Sequence, residues 1–283
     1  FKPASRRIRV NVKSQILNKQ LEWATAAGLN PDQRGYLNSY ESNLFQTLSP
    51  QSKLAFDQGS GAELRDRPNG PAKMRALHSS SALAVNFFDA WVDADTKPLM
   101  EIFDLEAQPI NVRFEGKYPT GLPGNPPNLD VIFELQNGLV VGIESKFTEW
   151  LSPKPASNPP FKEKYFPAGI GVWENVGLSE TQRLAEELQS KELIFRHLDA
   201  PQLMKHALGI ATHCGSKFRL LYVYFDALGQ EGDAHRNEIE IFTDRLKSEL
   251  GFRAFSYQEL IGKLQGSFGI PNEYLGYLRA RYG

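Results

Sequence analysis

Three ionisable residues near the middle of the sequence combine types and spacing that suit catalysis. Asp130 opens one apolar run, and Glu144 and Lys146 lie two positions apart at the end of the next. Side chains alternate between the faces of a strand, so Glu144 and Lys146 point to the same face. Two carboxylates can hold Mg²⁺, which keeps several waters and needs few protein oxygens. Such an ion would activate a water for phosphodiester hydrolysis, and Lys146 would orient that water, help to deprotonate it, or stabilise charge on the phosphoryl oxygens.

The register of the hairpin decides whether Asp130 joins the other two residues. A two-residue loop of Asn137-Gly138 would pair Asp130 with Ser145 and place the carboxylates on opposite faces. A three-residue loop over 136–138, with the glycine left-handed, would instead pair Asp130 with Glu144. We predict the three-residue loop, or an equivalent bulge near Asp130.

The same residues also fit a purely structural role. The run Val140–Ile143 is typical of a buried central strand, where ionised groups are rare unless they are paired or bound to a metal. A structural ion pair between Glu144 and Lys146 therefore stays open beside the metal site.

The surrounding pattern predicts an α/β fold around one mixed sheet. Strands are predicted at 110–115, 131–135, 139–147, 218–225 and 252–255, and helices at 12–28, 31–48, 79–91, 179–189, 200–209 and 233–250, with two more at the carboxyl terminus. Ser49-Pro50 is expected to end the second helix. Residues 1–56 are predicted to form a helical amino-terminal extension, and residues 57–283 the main domain.

Composition sets weak limits on function. The 32 basic and 33 acidic residues give a net charge of −1. A nucleic-acid-binding protein often has a basic excess, but an acidic metal site offsets that excess. The single cysteine, Cys214, has no intrachain partner, and no run approaches the roughly 20 apolar residues of a membrane span. We expect a soluble, cytoplasmic protein.

The hairpin resembles the signature of the PD-(D/E)xK nuclease superfamily, and the wider sequence resembles a restriction-endonuclease-like family within it. The segments that carry the likeness are Gly61-Ala62-Glu63-Leu64, His78–Phe87, Glu144–Glu149 and Gln202–His206. One departure is that Pro127 lies three residues before Asp130 rather than next to it. The resemblance implies a core of helix, three-stranded meander, helix and strand. It also implies Mg²⁺, or Mn²⁺ in its place, held by Asp130 and Glu144, with DNA as the substrate.

The resemblance also suggests supporting residues. Glu63 would add an upstream carboxylate, Gln202 and Lys205 would approach from the helix after the meander, and Glu149 would support the centre from beside it. His78 is a further candidate at a helix start. Each has a plainer interpretation: Glu63 as a solvated loop carboxylate, Gln202 and Lys205 as a solvated helix face, and His78 as a capping or packing residue.

Basic residues in three loops are candidate DNA contacts. The loops around 65–75, 117–127 and 152–164 carry Arg65, Arg67, Lys73, Arg75, Lys117, Lys154, Lys162 and Lys164. From these we select Lys73, Arg75, Lys117, Lys162 and Lys164. A homodimer would let two centres cut both strands of double-stranded DNA.

Two other classes of function remain open from the sequence. The same fold could serve as a catalytically silent DNA-binding or scaffold module. Alternatively, the hairpin is structural and the protein is an unrelated α/β enzyme acting on a small molecule. That enzyme should have a deep apolar pocket away from the hairpin, whereas a nuclease should have a polar cleft beside it.

Overall fold

The protein is built around a five-stranded mixed sheet, seen in a computed structural model that describes residues 11–59, 62–68, 70–155 and 159–283. The strands are β1 Pro109–Lys117, β2 Asn128–Leu135, β3 Val140–Lys146, β4 Phe218–Tyr224 and β5 Arg253–Ser256. Their spatial order follows the chain. The first three pair antiparallel as a meander, and β3, β4 and β5 are parallel. The predicted meander and mixed sheet are confirmed.

Helices cover both faces of the sheet. They are α1 Val12–Ala26, α2 Pro50–Gln58, α3 Ser80–Phe88, α4 Lys97–Phe103, α5 Ser179–Ser190, α6 Ala200–Cys214, α7 Gln230–Leu250, α8 Tyr257–Leu264 and α9 Asn272–Tyr282. One apolar core joins Val141 and Ile143 of β3 to residues of α1–α4, α8 and α9. A second joins Val140 of β3 and Tyr222 of β4 to α5, α6 and α7. Within the described ranges, no helix is long and apolar enough to cross a membrane.

The β2–β3 hairpin has the predicted three-residue loop. The N–H of Leu135 donates to the carbonyl of Leu139 at 2.9 Å, and Gly138 is left-handed with φ of 79°. Val131 is then paired with Ile143. The ladder ends at this pair, and its register continued by one position corresponds to Asp130 opposite Glu144, as the three-residue loop predicts.

The helix predicted over 31–48 is wrong. The Asp32 carboxylate accepts hydrogen bonds from two following backbone N–H groups, which makes a turn, and only a short 3₁₀ segment, Glu41–Asn43, follows. Ser49 caps the start of α2 and Pro50 is its first residue, because proline is favoured at a helix start. The Ser-Pro pair therefore begins a helix rather than ending one. The sequence analysis also missed α4.

The amino-terminal segment is fastened to the rest of the chain. Gln20 of α1 and Asn43 both hydrogen-bond the buried guanidinium of Arg281 in α9. Phe56 of α2 packs on Phe114 of β1, with ring centroids 5.4 Å apart. Residues 1–10 of the predicted extension and Gly61 of the quoted motif lie outside the described residues, and the domain boundary stays a prediction.

Helix α6 approaches the loop after β1 closely at a glycine. A Cβ atom on Gly209 would lie 2.3 Å from the carbonyl oxygen of Tyr118, well inside normal contact distance. This close approach sets the position of α6 against the sheet.

We predict that Gly209→Ala lowers the free energy of unfolding by about 1–3 kcal/mol, because the backbone of Tyr118 must move. Gly262→Ala is the matched control, since Gly262 lies on the exposed face of helix α8 with nothing near its Cβ position. That control should stabilise the protein by up to about 1 kcal/mol. Urea denaturation measures both, and equal effects would contradict the close approach of α6.

Candidate active site

Glu144 is a carboxylate buried on the central strand between two nitrogen groups. The Lys146 ammonium donates to its Oε1 at 2.5 Å. Nε2 of His206, from α6, lies 2.9 Å from its Oε2. The Glu144 side chain is only 2% exposed and that of Lys146 17% exposed. This cluster therefore opens to solvent on the lysine side.

The contact between His206 and Glu144 is close without being an aligned hydrogen bond. Neither Glu144 Oε2 nor either ring nitrogen of His206 has a hydrogen-bond partner among the described residues. A buried carboxylate oxygen without a donor costs free energy that a bound ligand can recover. Glu144 Oε2 thus has His206 Nε2 as a close neighbour but no aligned hydrogen bond among the described residues.

Asp130 lies at the point where β2 and β3 stop pairing. Its Oδ2 accepts the backbone N–H of Ser145 at 2.7 Å, and no hydrogen bond to its Oδ1 occurs within the described residues. The Ser145 hydroxyl bonds to the Tyr257 hydroxyl at 2.7 Å, which anchors this part of β3 to α8. Asp130 is partly exposed, so one of its oxygens is open to a ligand.

The pKa values of the two carboxylates are shifted in opposite directions. Burial and then the charge of Glu144 raise the pKa of Asp130 well above its ordinary value. Burial would also raise the pKa of Glu144, but Lys146 and then His206 outweigh it and lower that pKa to about 2. Burial opposes the charged form of Lys146, yet Glu144 and Asp130 raise its pKa. Asp130 thus holds a proton most readily, while Glu144 and Lys146 form an ion pair.

Of the supporting residues, Glu149 lies beside the centre. Its Oε2 accepts the N–H of Phe147 at 2.9 Å, its Oε1 accepts the hydroxyl of Ser80, and its charge helps to raise the pKa of Lys146. Burial lowers the pKa of His78, and the nearby charge of Glu149 opposes that shift. Both residues therefore lie close enough to Lys146 or Glu149 for their charges to interact, and their supporting roles stay a prediction.

Glu63 is linked to Asp130 through Glu115 of β1. It is buried and pairs with Lys73 at 2.8 Å, and its Oε2 has no hydrogen-bond partner within the described segments. Its charge acts on Glu115 of β1, whose pKa burial raises, and Glu115 acts in turn on Asp130. Glu115 has φ of 52°, a strained value for a residue with a side chain.

Sequence reasoning missed Glu115 and His206. Glu115 is one polar residue in an alternating strand, and no local signal marks its left-handed backbone. His206 belongs to a segment that the resemblance quoted, but a search for paired histidine ligands passes over a single histidine. Its position in α6 between buried apolar residues was the available signal, since an inward-facing histidine requires a partner.

Gln202 and Lys205 lie on α6 but at a neighbouring cleft. They line it together with Pro127 and Lys154. No contact of these two side chains with Asp130, Glu144 or Lys146 is found in the described part of the chain. The cleft reaches Pro127, just before β2, and its wall is largely apolar, whereas a polar cleft beside the hairpin was expected for a nuclease.

The five selected DNA contacts fall into three groups. Lys73 pairs with Glu63, and Arg75 pairs with Asp66 at 2.6 Å, so both charges are partly neutralised. Lys117 is exposed at the end of β1. The remaining two, Lys162 and Lys164, lie near enough to Lys205 to lower its pKa, which places them beside the cleft on α6.

Comparison with known proteins gives one result. A family model described as Restriction Endonuclease associating with ARP matches residues 22–283. No curated protein and no solved structure matches the chain.

We predict that Asp130→Asn stabilises the metal-free protein at neutral pH. The folded-state pKa of Asp130 is raised, so its contribution to stability is fully present below the unfolded pKa of about 3.9 and is lost as the pH rises through the folded value. Removing the carboxylate should therefore add about 1 kcal/mol or more to the free energy of unfolding at pH 7, with a smaller gain near pH 4.

Urea denaturation at both pH values measures this effect. Asp93→Asn, at an exposed aspartate, should change stability by less than about 0.5 kcal/mol. A loss of stability in Asp130→Asn at pH 7 would contradict the crowding of negative charge at this site.

Proposed function

The chain belongs to the family described as Restriction Endonuclease associating with ARP, and we propose that it is a metal-dependent endonuclease that hydrolyses phosphodiester bonds in DNA. Membership of the family indicates a nuclease-type function. The observation that supports the finer proposal is the register of the β2–β3 hairpin, in which Val131 pairs with Ile143. Lys146 donates to Glu144, and the charges of both residues act on the pKa of Asp130. We assign these three residues to the PD-(D/E)xK pattern.

The donor set fits a hard divalent cation. Within the described part of the chain, Glu144 Oε2 has no aligned hydrogen bond, and Asp130 Oδ2 accepts one hydrogen bond, from Ser145. The described residues include no group of three or more His, Cys, Asp or Glu side chains placed to hold a metal. Two carboxylates with waters and a substrate phosphate are the usual ligands of Mg²⁺, and Mn²⁺ accepts the same oxygens.

When bound, the cation would supply Lewis-acid polarisation of the scissile phosphate and a lowered pKa for an attacking water. Asp130 and Glu144 would hold it, and His206 would fix the position of Glu144. Lys146 keeps its proton because its pKa is raised. This favours stabilisation of charge on the phosphoryl oxygens, or orientation of the water, over the action of a general base.

The substrate is proposed to be double-stranded DNA. Lys162 and Lys164 beside the cleft, with Lys117 at the end of β1, are the proposed phosphate contacts. Cutting both strands calls for two centres, which a homodimer would supply.

We predict that the protein cleaves DNA only with Mg²⁺ or Mn²⁺ present, and that Lys146→Ala lowers the rate by about 10²–10³-fold. The reason is the loss of a preorganised positive charge at the phosphate. Nicking of supercoiled plasmid and cleavage of long phage DNA measure the rate. The long DNA ensures that a rare recognition sequence is included.

Lys247→Ala is the control, because Lys247 forms only an exposed pair with Asp244 on α7 and should keep full activity. EDTA should abolish cleavage. Cleavage at an undiminished rate in Lys146→Ala would place the centre elsewhere. Failure to cleave either DNA with either metal would support a catalytically silent module instead.

A further inference from the structure

A cavity of about 560 Å³ opens beside the candidate active site at the amino-terminal end of α6. Its walls include Pro127, which precedes β2, and Lys154 from the segment after β3. Lys205 of α6 also lines it and is the neighbour in sequence of His206, which contacts Glu144. Two elements therefore connect the cavity with the candidate active site: helix α6 and the segment that leads into β2.

Lys205 is a largely buried cation without an anionic partner. Its Nζ lies 5.5 Å from the ring centroid of Phe161 and 5.7 Å from that of Tyr165, both within the range of a cation–π contact. No hydrogen bond or ion pair of its ammonium occurs in the described ranges. Burial lowers the pKa of Lys205, as expected for a charge that lacks a counterion.

Further lysines make the surroundings of Lys205 strongly positive. Lys154, Lys162 and Lys164 all act on its charge, and Asp199 is the opposing carboxylate. Asp199 is already engaged, because it pairs with Lys154 and its carboxylate accepts the backbone N–H of Gln202 at 3.2 Å to cap α6. The local excess of positive charge favours an anion, and lysine is a common ligand of phosphate.

The rest of the cavity wall is apolar and suits more than a bare phosphate. Ile194 lines it and is 44% exposed, beside several prolines. The Gln202 side chain also lines it, and no hydrogen bond of that side chain occurs in the described part of the chain. An amide offers a donor and an acceptor to a base edge, and an apolar wall offers a surface for a base face. The volume falls within the roughly 300–1,000 Å³ of small-molecule sites.

We infer that this cavity binds a nucleoside monophosphate unit, with the phosphate on Lys205 and the base between Ile194 and Gln202. The inference rests on the proposed function, since it takes nucleic acid as the substrate. Its source is an unpaired nucleotide of the DNA strand or a free nucleotide. A base stacked in a duplex cannot enter a cavity, so the strand must present it unpaired.

The test measures binding by fluorescence anisotropy in EDTA, so that cleavage does not interfere. One arm compares a labelled duplex that carries a single unpaired nucleotide with the fully paired duplex. The other arm uses free deoxynucleoside monophosphates as ligands. We expect the unpaired nucleotide to tighten binding about tenfold, within the range of one base–side-chain contact. Lys205→Gln and Gln202→Ala should remove that preference and leave binding of the paired duplex nearly unchanged.

Lys19→Gln, on the exposed side of α1, is the matched control and should keep the preference. The inference is overturned if neither arm shows a ligand whose binding depends on both Lys205 and Gln202. If free nucleotides bind and these substitutions abolish that binding, the cavity is supported as a site for a free nucleotide. If the protein cleaves plasmid but shows no binding that depends on Lys205 and Gln202, only this inference is overturned. If it shows that binding but does not cleave, only the proposed function is overturned.

Discussion

The need to balance a buried carboxylate on the central strand organises this structure. Glu144 lies in β3, with helices on both faces of the sheet, where an ionised group is costly unless cations surround it. Lys146 supplies one cation from the same strand, and His206 approaches from α6. The helix can come that close because Gly209, one turn further on, lets it rest on the backbone of Tyr118.

Acidic and basic side chains are concentrated in two different regions around the candidate active site. Glu63, Glu115 and Asp130 form an acidic side of the centre: besides burial, the charge of Glu63 raises the pKa of Glu115, and the charge of Glu115 raises that of Asp130. Lys205 and its neighbouring lysines form a basic side at the cleft on α6. The net charge of −1 therefore conceals two local fields of opposite sign. One suits a divalent cation and the other suits the phosphates of a polyanion.

The features that local backbone geometry controls could be predicted from the sequence. The β2–β3 register follows from a left-handed Gly138 and the alternation of a short hairpin, so the three-residue loop could be predicted from the sequence. The position of His206 depends on how α6 packs across the sheet, which no short segment encodes. The error over 31–48 has a local cause: apolar residues have helical spacing there, but the Asp32 side chain captures the backbone N–H groups that a helix would use.

Calorimetric titration with Mn²⁺ tests most directly the proposal that Glu144 and Asp130 hold a divalent cation. The wild-type protein would be compared with Glu144→Gln and Lys146→Met. We predict a single site whose affinity falls in Glu144→Gln by at least the roughly 10–100-fold that loss of a supporting partner costs. Affinity should be equal or higher in Lys146→Met, because a competing cation is removed. Unchanged affinity in Glu144→Gln would contradict the account.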